Sequence, residues 1–157
     1  MIKGGKSVDW SVYASRYDLM AGANPAYQEL VRHCCETIMK LDISFGGTVA
    51  DFGAGTGNFS TALALTLPGI TVLHIDSNPD MIQHATRKAE ALNLQNWHPI
   101  ILDLESYHLP LPILQAAVTV HTLYTLKNPR EAIARICSNL EPGGYIYAAD
   151  LGRILNL

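Results

Sequence analysis

Val49-Ala50-Asp51-Phe52-Gly53-Ala54-Gly55-Thr56-Gly57-Asn58 reads as a strand end, a loop with glycine at every second position, and the start of an apolar helix. Asp51 stands two positions before the first glycine. Glycine in this alternation lets backbone pass close beneath a ligand, because no side chain blocks the approach and φ > 0 is open. The free N–H groups and positive dipole end of the following helix can receive a negative group. A nicotinamide dinucleotide site spaces its glycines as GxGxxG, with the helix receiving a pyrophosphate. Here the order is Asp-x-Gly-x-Gly-x-Gly. A glycine-rich turn with no ligand fits the loop equally well until the next strand is read.

That strand is Ile70-Thr71-Val72-Leu73-His74-Ile75, a β-branched run ending on Asp76. Parallel pairing of the two strands sets the Asp76 carboxylate beside the glycine loop. A carboxylate there can accept both ribose hydroxyls of an adenosine, as the acidic residue of dinucleotide folds does. Its other reading, a cap for the next helix, is one that Ser77 or Asn78 can fill. Asp103-Leu104 ends the strand-like run Pro99-Ile100-Ile101-Leu102. Leu114 to Val120 forms a further strand, followed by His121-Thr122-Leu123-Tyr124-Thr125-Leu126 and Asn128-Pro129. Leu140-Glu141-Pro142-Gly143-Gly144-Tyr145 marks a turn before a fifth strand.

Together these landmarks resemble the class I S-adenosylmethionine-dependent methyltransferases, over about Trp10 to Asp150. The resemblance implies a Rossmann-like α/β three-layer sandwich with S-adenosyl-L-methionine as cofactor and S-adenosyl-L-homocysteine as product. It assigns the cofactor to Asp51, Phe52, Gly53, Ala54, Gly55, Gly57 and Asn58 of the loop, to Asp76, Ser77 and Met81, and to Asp103 and Leu104. In that family the Asp103 position accepts from the adenine amino group. Trp10, Tyr13, Ala14 and Tyr17 fall at helical spacing. The resemblance makes them a lid whose aromatic edges, Tyr17 among them, close over the methionine end. Packing of an amphipathic helix on the domain reads equally well, and the two coexist.

The alternation of strands and helices implies a parallel sheet with right-handed crossovers and helices on both faces. Strands are expected near 47–52, 70–75, 98–104, 114–120 and 144–149, in the order 3-2-1-4-5, with the ligand where the order reverses. Residues 1–42 read as a helical lid or cap segment and 43–157 as the cofactor-binding core, one domain overall. Asn24-Pro25 and Asn78-Pro79 are helix openers. Asn128-Pro129-Arg130-Glu131 has the cap-plus-acid arrangement of a capping box. Met81, Ile82, Ala85, Ala89 and Leu92 are expected inward on one helix, and Ile133, Ile136, Cys137 and Leu140 on another.

The chain has 157 residues, 48% hydrophobic and 16% charged, which suits one soluble core and argues against disorder. A net charge of −3 gives no electrostatic case for nucleic acid or membrane as partner. The start Met1-Ile2-Lys3-Gly4-Gly5-Lys6 has no apolar signal core, and the three cysteines lack metal-ligand spacing. Reduced, buried thiols in the cytoplasm are the expectation. No metal is expected.

The chain departs from the resembled family by stopping at Leu157, where relatives continue into a further helix and an antiparallel strand pair. The expectation is therefore a fragment or a minimal fold, with the apolar edge Tyr145–Ala149 covered by the N-terminal segment, a homodimer mate or residues absent from the chain. A sulfonium-bound methyl is already activated, so holding a nucleophile in line does most of the work. If a base assists, His121 and Tyr124 are the candidates, and His121 is the better by pKa. Val120-His121-Thr122-Leu123 lacks the Asn/Asp-Pro-Pro-aromatic turn of nucleobase-amine methylases, and Ala116 to Lys127 lacks the acids of metal-dependent relatives. Gln115 stands where many relatives carry Asp. A small-molecule acceptor is the default; the alternative is a cofactor-binding module without its own acceptor site. A nicotinamide-dependent oxidoreductase is disfavoured by the glycine spacing.

Overall fold

Five apolar runs supply a parallel sheet: β1 (Thr48–Phe52), β2 (Thr71–Asp76), β3 (Trp97–Ile101), β4 (Leu114–Val120) and β5 (Leu140–Ala149). Their order is β3-β2-β1-β4-β5, and each neighbouring pair is parallel, as the sequence led us to expect. The computed structural model describes residues 10–106 and 111–150; the side chains of Trp10, Ser11, Val12 and Ser15 lie outside that description. α1 (Trp10–Ala23) and α2 (Pro25–Met39) precede β1, while α3 (Asn58–Thr66) follows β1, α4 (Pro79–Ala91) follows β2 and α5 (Pro129–Ser138) follows β4. No helix among the described residues is long and apolar enough to cross a membrane.

Alternation along the strands divides the core in two, because successive side chains leave on opposite faces. Val49, Val72, Trp97, Ala116, Val118 and Val120 pack against Cys34 and Ile38 of α2, Phe59 and Leu63 of α3, and Ala85 and Ala89 of α4. Ala50, Phe52, Leu73, Ile75, Leu114 and Ala117 pack on the other face against Ala132 and Ile136 of α5. The sheet thus lies between two helical layers. Asn24 and Asn78 cap α2 and α4, their side chains accepting from Ala26 and Tyr27 N–H and from Asp80 and Met81 N–H, with proline in the first turn of each.

Four local expectations are corrected. The Asn128 side chain makes no cap hydrogen bond. Glu105 supplies the carboxylate there instead, accepting from Lys127 N–H at 2.8 Å and Asn128 N–H at 3.1 Å, while Glu131 pairs with Arg135 one turn on. Cys137 is exposed, whereas Cys34 and Cys35 are buried as expected. Leu92, at the C-cap of α4, is 40% exposed. β3 ends at Ile101 rather than 104, because Asp103 opens a turn by accepting from Glu105 N–H at 2.8 Å.

The fifth strand also differs from the sequence reading. Leu140 pairs with Leu114 and Tyr145 with Ala116, so Glu141 to Gly144 bulge out of the ladder with Gly143 at φ 86°. The turn lies inside β5 rather than before it. Gln115, at the amino end of β4, accepts from Thr48 N–H and donates to Glu141, so it serves the bottom of the sheet. β5 is an edge strand with Tyr145 54% exposed, and Tyr147 on it bonds the His33 imidazole of α2 at 2.9 Å.

Asn96 ties the end of α3 to β2: its Nδ2 lies 3.0–3.2 Å from the carbonyls of Ala64, Leu67 and Ile70. Asn96→Ala leaves these carbonyls without that donor and should destabilise the chain by about 1–3 kcal/mol. A lower urea midpoint with an unchanged unfolding slope is the expected result; an unchanged midpoint would contradict it.

Candidate functional site

The strand order reverses between β1 and β4, and a cavity opens there over the carboxyl ends of β1, β2 and β4. Its floor is the loop after β1. Gly53 and Ala54 N–H both donate to Ile75 O, at 2.8 and 3.0 Å, and Gly55 N–H donates to Asp76 Oδ2 at 2.8 Å. Gly57 N–H donates to Ala54 O at 3.0 Å. These four amides are therefore already used within the chain. A pyrophosphate needs such groups free, which disfavours a nicotinamide dinucleotide here.

The three glycines are glycine for three different reasons. All have positive φ, at 69°, 54° and 83° for Gly53, Gly55 and Gly57. A Cβ on Gly53 would fall 2.2 Å from Thr122 Cγ2, and one on Gly57 would fall 2.9 Å from Ala85 Cβ. Those two positions bring β4's following loop and α4 close to the backbone. Only at Gly55 would a Cβ meet nothing within 4 Å, and Gly55 lines the cavity.

Asp51, Asp76 and Asp103 line the cavity, and the first two flank the glycine loop. Asp76, at the tip of β2, accepts from Gly55 N–H and from Asn78 N–H, both at 2.8 Å. Burial raises its pKa, and those backbone donors oppose the rise. Asp51, on β1, is 2% exposed, and its Oδ2 has no hydrogen-bond partner among the described residues. Burial first, and the Asp76 carboxylate second, push Asp51 up to about 8, against the hydrogen bond from Ser60 N–H. Its partner in the β1–β2 register is His74. Burial, with Lys88 adding to it, lowers His74 to about 3, so the imidazole is neutral and gives Asp51 no compensating charge. Ser60 Oγ joins His74 Nδ1 at 2.9 Å and accepts from the Trp97 indole at 3.0 Å.

Tyr17 of α1 and Tyr27 of α2 stand at the cavity wall with ring centroids 6.1 Å apart, and the His121 ring stacks on Tyr27 at 6.1 Å and 22°. His121 has φ 54°, and its buried Nδ1 has no partner among the described residues. A non-glycine residue in that region carries backbone strain of a kind found at ligand sites. Tyr124 lies at the rim, and burial raises its pKa, with Asp150 adding to the rise. That direction makes Tyr124 the poorer base.

The cavity brings together Tyr17, Asp51, Gly53, Ala54, Gly55, Asp76, Ser77, Met81, Asp103, Leu104, His121 and Tyr124. Phe52 is buried in the core layer beneath α5, and Gly57 and Asn58 stand behind the wall. Sequence reasoning did not assign Thr56, Phe59, Thr122 and Thr125 to the site, although all four line it. Thr56 lies inside the quoted loop, so it was within reach of that reading. It also missed Asp18, whose carboxylate accepts from Thr56 Oγ1 at 2.5 Å and Asn58 Nδ2 at 3.2 Å.

A family model for the methyltransferase domain matches residues 43–155. The chain belongs to the methyltransferase-domain family. Its fold and recognition features are those of the S-adenosylmethionine-dependent class I enzymes, with S-adenosylmethionine the cofactor of that class. A 23S rRNA (uracil(1939)-C(5))-methyltransferase of Shewanella denitrificans is 38% identical over 74 residues, 45% of this chain and 14% of the relative. A methyltransferase structure from Methanococcus maripaludis, described as S-adenosyl-L-methionine-dependent, superposes with TM-score 0.78 at 18% identity, covering 92% of this chain and 66% of that one. A SAM-dependent methyltransferase from Aquifex aeolicus superposes with TM-score 0.70 at 20% identity, covering 94% and 77%. This methyltransferase domain thus spans about a seventh of the length of its curated relative.

The residues present fit the cofactor. S-adenosylmethionine carries an ammonium and a ribose diol, and the cavity offers a buried carboxylate whose Oδ2 has no partner among the described residues, a second carboxylate and an open backbone face at Gly55. A carboxyl held above its unfolded pKa makes the folded state bind the proton more tightly, so its contribution to stability falls as pH rises from about 4 to about 8. Asp51→Asn removes this dependence. In urea unfolding without ligand, the variant should gain on the parent between pH 5 and pH 8; a constant difference between the two would contradict the assignment.

Proposed function

We propose that this chain transfers a methyl group from S-adenosylmethionine to a small-molecule acceptor by in-line displacement. The observation that carries the reading is the pair Asp51 and Asp76 in one cavity, the first with a buried oxygen that has no partner among the described residues. When bound, the cofactor supplies a methyl on a sulfonium whose leaving group departs neutral. In this reading Asp76 accepts the ribose hydroxyls, Asp51 takes the ammonium, and Asp103 with Leu104 borders the adenine. Tyr17 and Tyr27 exclude water from the methyl, and the His121 ring takes a proton from the acceptor where one must leave. Orientation of this kind is worth several kcal/mol without a metal or covalent intermediate.

The proposed division is a lid and cap segment, 1–42, over a core, 43–157; of its described helices α1 reaches the cavity and α2 also packs on the sheet. Three free thiols support a reducing cytoplasm as the compartment. A homodimer mate or further chain covering the β5 edge stays part of the proposal. A second reading, an RNA base as acceptor, is favoured by the rRNA-methylating relative and opposed by the net charge of −3. A binding module without its own acceptor site is the alternative from another class.

Calorimetry should detect saturable binding of S-adenosylhomocysteine and none of NAD; the reverse would sink the cofactor reading. Asp76→Ala removes charge-assisted hydrogen bonds of about 1.5–3 kcal/mol and should weaken that binding at least ~10-fold. An unchanged dissociation constant in a folded variant would reassign Asp76 to the loop alone. Methyl release to small acceptors, with RNA as the parallel arm, separates the two acceptor classes, and release to neither favours the module.

A further inference from the structure

α1 has an odd attachment for a helix that walls a cavity. Leu19 and Met20 are 76% and 49% exposed, and among the described apolar side chains of the helix Ala14 and Ala21 are the buried ones. A helix in a globular protein ordinarily docks through an apolar stripe. Here a carboxylate makes the polar link to the glycine loop, while on the α2 side Ala21 O accepts from Gln28 Nε2 at 2.9 Å. Asp18 Oδ1 accepts from Thr56 Oγ1 at 2.5 Å and from Asn58 Nδ2 at 3.2 Å, and Oδ2 pairs with Lys88 Nζ at 2.9 Å. Lys88 also donates to Asn58 Oδ1 at 2.8 Å, and Asn58 Nδ2 lies 3.3 Å from the Tyr27 hydroxyl. One group thereby joins α1 to the glycine loop, to the first residue of α3 and to α4. Thr56 is buried, while Asp18 and Lys88 are partly exposed.

Tyr17, the residue before Asp18, lines the cavity. Release of Asp18 would free α1 to carry Tyr17 out of the wall, and would leave Thr56 and Asn58 without the acceptor that fixes the second half of the loop. We propose that Asp18 is a latch: a positioning residue that holds α1 shut over the cavity and sets the retention time of the cofactor. The proposal rests on the S-adenosylmethionine reading for its ligand. Charged and hydrogen-bonded partners of this kind are weakened by salt where they reach solvent.

The test uses the full chain, with S-adenosylhomocysteine as probe. Asp18→Ala should raise the dissociation rate at least ~10-fold, and amide exchange across residues 16–23 of the ligand-free variant should speed up without a comparable change in β1 or β4. Asp18→Asn, which keeps an acceptor but loses the Lys88 pair, should fall between and should lose the rise of dissociation rate with salt shown by the parent. It also keeps the test alive if the alanine variant fails to fold. Dissociation within ~2-fold of the parent in the folded variants, or unchanged exchange in α1, would overturn the latch. If the parent binds no S-adenosylhomocysteine, the cofactor reading fails, and exchange in α1 still decides whether Asp18 holds the helix.

Discussion

Asp76 Oδ2 accepts from Gly55 N–H across the gap between two parallel strands, with Ile75 O taking the amides of Gly53 and Ala54 beside it. The rest of the site depends on this junction. It folds the glycine loop back over the end of β2, which brings Gly55 to the cavity with its open side facing out. It also leaves Asp51, one strand over, buried next to another carboxylate and without a partner for one oxygen. Burying a carboxyl this way costs stability unless something pairs with it. Such a local conflict in an otherwise consistent fold is where a ligand is expected.

Much of the fold was legible in the sequence because its signals are local. β-branched runs, Asn-Pro openers and the position of Asp76 fixed five strands, two helix starts and the loop junction. Two of the misses come from pairs far apart in the chain. Glu105 caps α5 from more than twenty residues away, and Asp18 reaches Thr56 from 38 residues away. No spacing rule announces such pairs. At Asn128 a carboxylate from the loop after β3, Glu105, takes the backbone amide that a capping box would give to Glu131. The bulge in β5 was hidden because Pro142-Gly143-Gly144 reads as a turn whether it ends one strand or interrupts another.

The glycine pattern illustrates how a motif mixes causes. Gly53 and Gly57 are required by Thr122 and Ala85, which press on the backbone from β4's loop and from α4. Those are packing constraints that any fold of this kind imposes. Gly55 is different, since neither packing nor a neighbour forbids a side chain there and only its φ and the cavity remain. The Trp97–Ser60–His74 chain behind the loop is another packing feature with bearing on the site. It seats a neutral imidazole beside Asp51 in the strand register, so the sheet itself supplies no cation. A cationic ligand group would be the natural complement.

The central claim is that one ligand bearing an adenosine and an ammonium group occupies the cavity over β1, β2 and β4. Titration of 15N-labelled chain with S-adenosylhomocysteine, followed by backbone amide shifts, tests it most directly. The account predicts saturable shifts largest at Gly53–Asn58, Asp76–Asn78, Asp103–Leu104 and His121–Thr122, with Trp97–Ile101 and α5 quiet. Shifts centred on α5 or on the outer face of β3, or none that saturate, would contradict it.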